Sequence, residues 1–335
     1  MGKKCMESKN GHVNDGLPPP LIIAKSLAAG GIAGGISRTA VAPLERLKIL
    51  LQVQHTSPAC SSNPKYTGVW QGLRLMAQRE GLRGMFKGNG ANCLRIVPNS
   101  AVKFLTYEQT TRVWMNFRRD RSQPGEEVKL SAYERLGAGA AAGIVAMSAT
   151  YSLDMVRGRL TVQESGKPQY RGIWHAATTI IRTEGVLALY KGWLPSVIGV
   201  VPYVGLNFAV YETLKAEICH YSNYKNEQDI HILARLGCGA IAGSIGQTVA
   251  YPLDVVRRRL QMSGWEGHGG AAGVPSVAYR GMGDCFVRTV QEEGVLALFK
   301  GLWPNYIKVV PSIAIAFVTY EQVKIILGVT FKVSD

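Results

Sequence analysis

The chain has 335 residues, with 38 Lys and Arg against 23 Asp and Glu, a formal charge of +15. Only 18% of the residues are charged and 47% are hydrophobic, which excludes a disordered or polyanion-coating chain, since both need a denser charge load. Six scattered cysteines without a Cys-x-x-Cys spacing argue against a zinc cluster and a disulfide scaffold. A mean hydropathy of +0.04, with few apolar runs of about 18 residues, does not announce a membrane protein.

A length prior of about 150 residues per domain gives two domains. Internal repetition gives three units instead. The first unit opens on residues 26–42, rich in Ala, Gly, Ile and Val and free of carboxylates. Its Gly30 and Gly34 fall on one helix face, where small residues let helices approach closely in lipid. A basic segment follows, residues 45–87, in which 69–78 reads as a short surface helix. Residues 88–107 close the unit, again without a carboxylate and with Pro98 as a mid-span kink.

The second unit repeats this order with Gly139 and Gly143, Ser152 in the place of Pro43, Tyr170, Glu184, Gly192, Pro202 and Tyr211. The third has Gly239 and Gly243, Pro252, Tyr279, Glu293, Gly301, Pro311 and Tyr320. Six spans of about 20 residues would each cross a bilayer of roughly 30 Å. The expected fold is an all-α membrane protein with six transmembrane helices in three tandem repeats, a pseudo-threefold axis and three short surface helices. The expected repeats are residues 21–115, 130–218 and 230–327, between a flexible N-terminus (1–20) and a C-terminal tail (328–335).

An ionisable group inside a span costs about 2.5–3.5 kcal/mol, so it normally faces a cavity or a partner. The interiors hold Arg38, Arg95, Lys103 and Lys308, and no interior carboxylate to neutralise them. That implies an anion-binding cavity; Arg38 and Lys103 have the alternative of reaching to the interface. Arg95, Gly199 and Lys308 occupy equivalent places, seven residues after the aromatic-Lys-Gly glycine. A scaffold keeps threefold symmetry, whereas an asymmetric ligand breaks it. Arg95 can grip phosphate bidentately and Lys308 acts as a point charge. Gly199 and Val200, with Tyr203 one turn on, offer a flat uncharged wall for a planar base; Gly199 can equally be a helix-packing glycine. Arg38, Met147 and Gln247 form a second asymmetric triplet.

Both ends of the expected pore carry charge pairs at i,i+3 spacing. At one end they are Glu45 and Lys48, Asp154 and Arg157, Asp254 and Arg257. These pair either locally, for a few tenths of a kcal/mol, or between repeats, closing the pore. At the other end stand Glu212 with Lys215 and Glu321 with Lys324, while Glu108 has Thr111 where a base belongs. Alternating access needs two such states within a few kcal/mol of each other.

The stretches PLERLKILLQ, SLDMVRGRLT and PLDVVRRRLQ resemble the signature of mitochondrial carriers, P-x-[DE]-x-x-[KR]-x-[KR]. EGLRGMFKG, EGVLALYKG and EGVLALFKG resemble its second signature. The resemblance covers residues 21–327. It implies a six-helix bundle around a central cavity, surface helices on the matrix side, termini toward the intermembrane space, and metabolite exchange by alternating access in the mitochondrial inner membrane. It also implies that Gln52 and Gln261 brace the matrix ion pairs, that Arg95, Gly199-Val200 and Lys308 contact substrate, and that cardiolipin binds as a structural lipid at the Tyr-x-Gly and Lys-Gly motifs. Three departures stand out: Ser152 for the kink proline, Leu50 for the second signature base, and Thr161 for a brace glutamine.

Within the family the contact residues resemble nucleotide-type carriers, so adenine nucleotides are the expected substrates. Coenzyme A or adenosine 3',5'-bisphosphate is the alternative, and so is an ATP-Mg/phosphate-type carrier without calcium regulation, since twenty leading residues hold no EF-hand domain. A monomer is expected, with no cofactor, metal or nucleic-acid partner. Neither GxxxxGK[ST], HExxH nor GxSxG occurs, which speaks against an enzyme.

Overall fold

The computed structural model describes residues 19–56, 66–119, 131–163, 169–222, 232–265 and 277–326. The expected flexible N-terminus up to residue 18 and the C-terminal tail lie outside them. The described residues form helices and turns without a strand. In chain order the helices are α1 (Pro19–Val53), α2 (Val69–Met85), α3 (Asn89–Arg119), α4 (Ala132–Ala149), α5 (Tyr151–Val162), α6 (Ile173–Glu184), α7 (Trp193–Ser222), α8 (Ile232–Met262), α9 (Met282–Glu293) and α10 (Leu302–Ile326).

Six spans emerge: α1, α3, the α4–α5 pair, α7, α8 and α10. Even the 25 residues of α10 reach about 38 Å at 1.5 Å per residue, more than the roughly 30 Å of a hydrocarbon core. Hydropathy alone singles out only Val186–Tyr221 and Val295–Ile326, or three spans if the bent α4–α5 pair is one. The rest are too polar on one face, because α1, α3 and α8 carry the charged residues of the interior. Their outer faces stay apolar: Leu94, Val97, Phe104 and Leu105 on α3 are exposed, as are Phe317 and Val318 on α10. This surface suits lipid, not water.

Neighbouring repeats meet through α3 with α4, α7 with α8, and α10 with α1. The last pairing closes the ring. Ser37 supports it, donating from Oγ to the Ser312 carbonyl at 2.6 Å. The glycine pairs do not make the close approaches expected of them. A Cβ on Gly30, Gly139, Gly143, Gly239 or Gly243 would meet nothing within 4 Å. The buried stripes run one residue ahead, on Ala29 and Ala33, on Ala138, Ala142 and Ala146, and on Cys238 and Ala242. One residue is about 100° around a helix, enough to move the glycines off the contact. Gly246 is close-packed instead: a Cβ there would lie 3.0 Å from the Tyr203 carbonyl.

Helices α1 and α8 run through Pro43 and Pro252. The second repeat has Ser152 there, and its span breaks instead. Thr150 leaves helical geometry (φ −103°, ψ 10°) between α4 and α5, which meet at a 60° bend. The backbone bonds persist across the bend, and the Ala146 carbonyl accepts both the Thr150 amide at 3.1 Å and its Oγ1 at 2.8 Å.

Surface helices α2, α6 and α9 bury Met76, Ile180 and Cys285 and leave Trp70 and Trp174 exposed. A three-residue cluster holds each to the bundle. Arg159 and Lys191 grip Glu184, and Arg259 and Lys300 grip Glu293. Leu50 cannot play the part of Arg159 or Arg259 in the first repeat. Arg46, one helical turn earlier, takes it over, reaching Glu80 at 2.8 Å with Lys87 at 3.3 Å. Each arginine also donates through Nε to the next repeat: Arg46 to the Thr161 carbonyl, Arg159 to that of Gln261, and Arg259 to that of Gln52. Burial raises the Glu293 carboxyl, but hydrogen bonds and charge from Arg259, with Lys300, outweigh it and hold it at about 2.

The glycine of each aromatic-Lys-Gly motif has positive φ, +79°, +84° and +88° at Gly88, Gly192 and Gly301. There the chain turns into α3, α7 or α10 against the next repeat. A Cβ on Gly192 would sit 2.8 Å from the Arg257 carbonyl, and one on Gly301 3.0 Å from that of Lys48.

Gly192→Ala is therefore expected to cost about 1–3 kcal/mol through left-handed strain and the clash. It should lower the unfolding temperature of the detergent-solubilised protein, while Gly143→Ala leaves that temperature unlowered. Glu293 adds a pH dependence. Its folded pKa lies below the ordinary 4.5, so its stabilisation is complete above pH 4.5 and fades as pH falls toward about 2. Glu293→Gln should flatten that acid limb in a pH series of thermal melts.

Candidate functional site: a buried ion-pair ring beneath a cationic cavity

The landmark Pro or Ser of each repeat brings a carboxylate and a base to one end of the bundle. Spacing along the chain leaves the pairing open between local and inter-repeat partners. The geometry selects the inter-repeat one. Glu45 pairs with Arg157, Asp154 with Arg257, and Asp254 with Lys48 at 2.7 Å. Repeat one thus holds repeat two, two holds three, and three holds one. The side chains are 2–20% exposed, so each charge depends on its partner far more than in a surface pair.

The expected glutamine braces are in place. Gln52 donates to Asp254 (3.2 Å) and to the Tyr251 hydroxyl (3.1 Å). Gln261 donates to Asp154 (3.1 Å) and to the Tyr151 hydroxyl (3.2 Å). Thr161 braces nothing across the ring; its hydroxyl turns back to the Arg157 carbonyl. The third pair has a different support. Asn92, buried on α3, donates to Glu45 at 3.2 Å and accepts from Arg38 at 3.2 Å.

The interior cations are not left without carboxylates, contrary to the expectation from the spans taken singly. Arg95 bonds Asp154, and Lys308 bonds Glu45 at 3.0 Å. These acids lie just past the apolar stretches of neighbouring repeats, and only the ring closure brings them within reach. Arg258 joins as well, 3.1 Å from Asp154 and 2.8 Å from Gln261. The sequence reading does not include it, although its equivalents Ile49 and Gly158 mark an asymmetric position. Among the described residues, Arg38, Lys48, Arg95, Arg157, Arg257, Arg258 and Lys308 surround Glu45, Asp154 and Asp254. Seven cations face three carboxylates. The Arg95 Nε is a buried donor without a partner among the described residues, and Lys103 is exposed.

Beside the cations lies an uncharged recess of about 170 Å³ between α7 and α8. It is lined by Gly199, Val200 and Tyr203 on one wall and Gln247, Ala250 and Leu253 on the other, with Asp254 at its edge. Gly199 is no tight packing glycine, since a Cβ there would keep 3.7 Å from Leu253. Its flatness opens space.

At the far ends of α3, α7 and α10 the charges behave differently. Glu212 pairs with Lys215 at 3.0 Å and Glu108 with Arg112 at 2.6 Å, each within one helix. Lys215 lies over Tyr211, and Lys324 over Tyr320. Glu321 is half-buried. The Thr111 hydroxyl is buried without a partner among the described residues, at the position where the first repeat lacks a base.

Three repeats, closed at one end by reciprocal ion pairs and loaded inside with excess positive charge, define a membrane carrier and not an enzyme. The family model of the mitochondrial carrier protein matches residues 20–118, 128–222 and 228–330, and the chain belongs to that family. It is 59% identical over 321 residues to the mitochondrial adenine nucleotide transporter ADNT1 of Arabidopsis thaliana, covering 93% of this chain and 90% of that protein. It is 40% identical to the mitochondrial carrier protein CoAc1 of Zea mays, over 92% and 88% of the two chains. It is 38% identical to the mitochondrial adenyl nucleotide antiporter SLC25A25 of Homo sapiens, over 91% of this chain but 60% of that longer protein.

Removing one partner of a buried pair strands the other charge, at a cost of about 3–5 kcal/mol. Asp254→Ala should therefore lower thermal stability more than the Lys48→Ala/Asp254→Ala double substitution does. A double-mutant cycle of unfolding temperatures measures the coupling.

Proposed function

We propose that this protein exchanges adenine nucleotides (AMP, ADP and ATP) across the mitochondrial inner membrane by alternating access, as a monomer with both termini toward the intermembrane space. The observation that carries this reading is that Arg95 and Lys308 hold carboxylates of the ring itself. A polyphosphate entering from the open side competes with Asp154 and Glu45 for those two cations. Every phosphate oxygen that takes one of them loosens a tie between repeats, so binding energy is spent on opening the ring rather than on tight binding. The ligand thereby favours the other conformation, as differential affinity requires. The excess of four cations suits a polyphosphate, and the neutral recess beside them suits its base. Arg38 and Lys103 supply further positive charge on the path in. The names of the Arabidopsis and human relatives support the same substrate class.

At the other end, Glu108, Glu212 and Glu321 would exchange local partners for Lys215 and Lys324 of neighbouring repeats once the ring opens. Glu108 has no base at Thr111, so that closure is weaker by one pair. Cardiolipin is proposed as a structural lipid. A cleft of about 520 Å³ beside the start of α7 and α9 is lined by Lys191, Gly192, Trp193, Tyr279, Arg280 and Gly281. Two helix N-termini with basic side chains suit a diphosphate headgroup.

A second reading, transport of coenzyme A or adenosine 3',5'-bisphosphate, rests on the Zea mays relative and on the same cations and recess. Purified protein in liposomes loaded with AMP, ADP, ATP or coenzyme A, and challenged with labelled ATP, separates the two. Exchange with all three adenine nucleotides is expected; exchange with coenzyme A but not AMP would reverse the substrate assignment. Arg95→Ala and Lys308→Ala should each lower the exchange rate at least 100-fold with the protein still folded.

A further inference from the structure

We infer that Gln247 reads the hydrogen-bonding edge of the substrate's base and sets the preference for adenine. This inference rests on the nucleotide-exchange reading above. Gln247 lies on α8, facing Gly199, Val200 and Tyr203 of α7 across the 170 Å³ recess. The recess is open on one side, so a base ring can enter it while the rest of a nucleotide stays outside.

The polar groups of the recess divide sharply. Ser196 is occupied, donating to the Gly192 carbonyl at 2.8 Å. Asp254 is held by Lys48 and Gln52. The Gln247 amide and the Tyr203 hydroxyl make no hydrogen bond to the described residues. A half-buried amide with both a donor and an acceptor unused is free to pair with a ligand that supplies both. A phosphate supplies acceptors only, and the cations that would attract it lie elsewhere in the site. A base ring laid on the Gly199-Val200 wall beside Tyr203 supplies both.

Adenine fits this amide on either edge. Its N6 amine donates to the Gln247 carbonyl, and N1 or N7 accepts from the amide nitrogen. Guanine shows two acceptors, O6 and N7, on one edge. On its other edge a reversed amide can meet O6 and N1–H, but the extra N2 amine then faces apolar residues and an Asp254 that is already engaged. The equivalent positions in the other repeats, Arg38 and Met147, cannot offer the paired donor and acceptor. The threefold scaffold thus carries a base-reading group in one repeat alone.

The test is competition in liposomes exchanging labelled ADP, with unlabelled ADP, GDP and IDP as competitors. Wild type should favour ADP over GDP by tenfold or more. Gln247→Leu removes both hydrogen bonds and should shrink that ratio at least tenfold. Gln247→Glu, with acceptors only, should shift it toward GDP, whose N1–H and N2 amine donate to a carboxylate. A merely structural role would change the rate and leave the ratio alone. An ADP to GDP ratio unchanged in both variants overturns the inference and leaves nucleotide exchange standing. A wild-type protein that exchanges no adenine nucleotide removes both.

Discussion

The buried carboxylates Glu45, Asp154 and Asp254 are the constraint on which the rest depends. Each must be neutralised, because an unpaired charge at this depth is too costly to keep. Each finds its partner in another repeat, so neutralisation and ring closure are one event. The same acids also hold Arg95 and Lys308. A second set of cations therefore competes for the carboxylates that shut the pore. In the proposed exchange, binding and gating share these atoms, and no separate relay between site and gate is required.

Threefold symmetry is kept in function even where the residues change. The second signature base is missing at Leu50, and Arg46 reaches the same glutamate from one turn earlier on the same helix face. The brace glutamine is missing at Thr161, and Asn92 approaches Glu45 from α3 instead. The kink proline is missing at Ser152, and the helix breaks at Thr150. In each case the physical demand survives: a grip on the surface helix, a donor to a buried carboxylate, a bend at the pore end. Where symmetry fails without replacement, Arg95, Lys308 and Arg38 lie at the carboxylate ring, and Gly199 and Gln247 line the recess. That division separates scaffold from site.

The far end of the bundle offers a weaker set of charges. Its pairs stay within single helices in this conformation, and Thr111 leaves one repeat without a base. The Glu108–Arg112 pair is exposed and contributes little, whereas the side chains of the ring pairs are 2–20% exposed.

The sequence alone determined the three repeats, the six spans and the identity of the ring residues, because spacing along a helix fixes which side chains share a face. It could not choose between local and inter-repeat pairing, since i,i+3 neighbours are compatible with either. Only tertiary closure, with α10 against α1, brought Lys48 to Asp254 and Lys308 to Glu45. The glycine pairs show the same limit. Their four-residue spacing placed them on one face, but the stripe actually buried lies one residue ahead, and helix rotation is set by the packing of the whole ring. Arg258 and Asn92 entered the site for that reason too. A single buried cation or amide has no periodic signature, and it acquires a partner only when another repeat's carboxylate is folded against it.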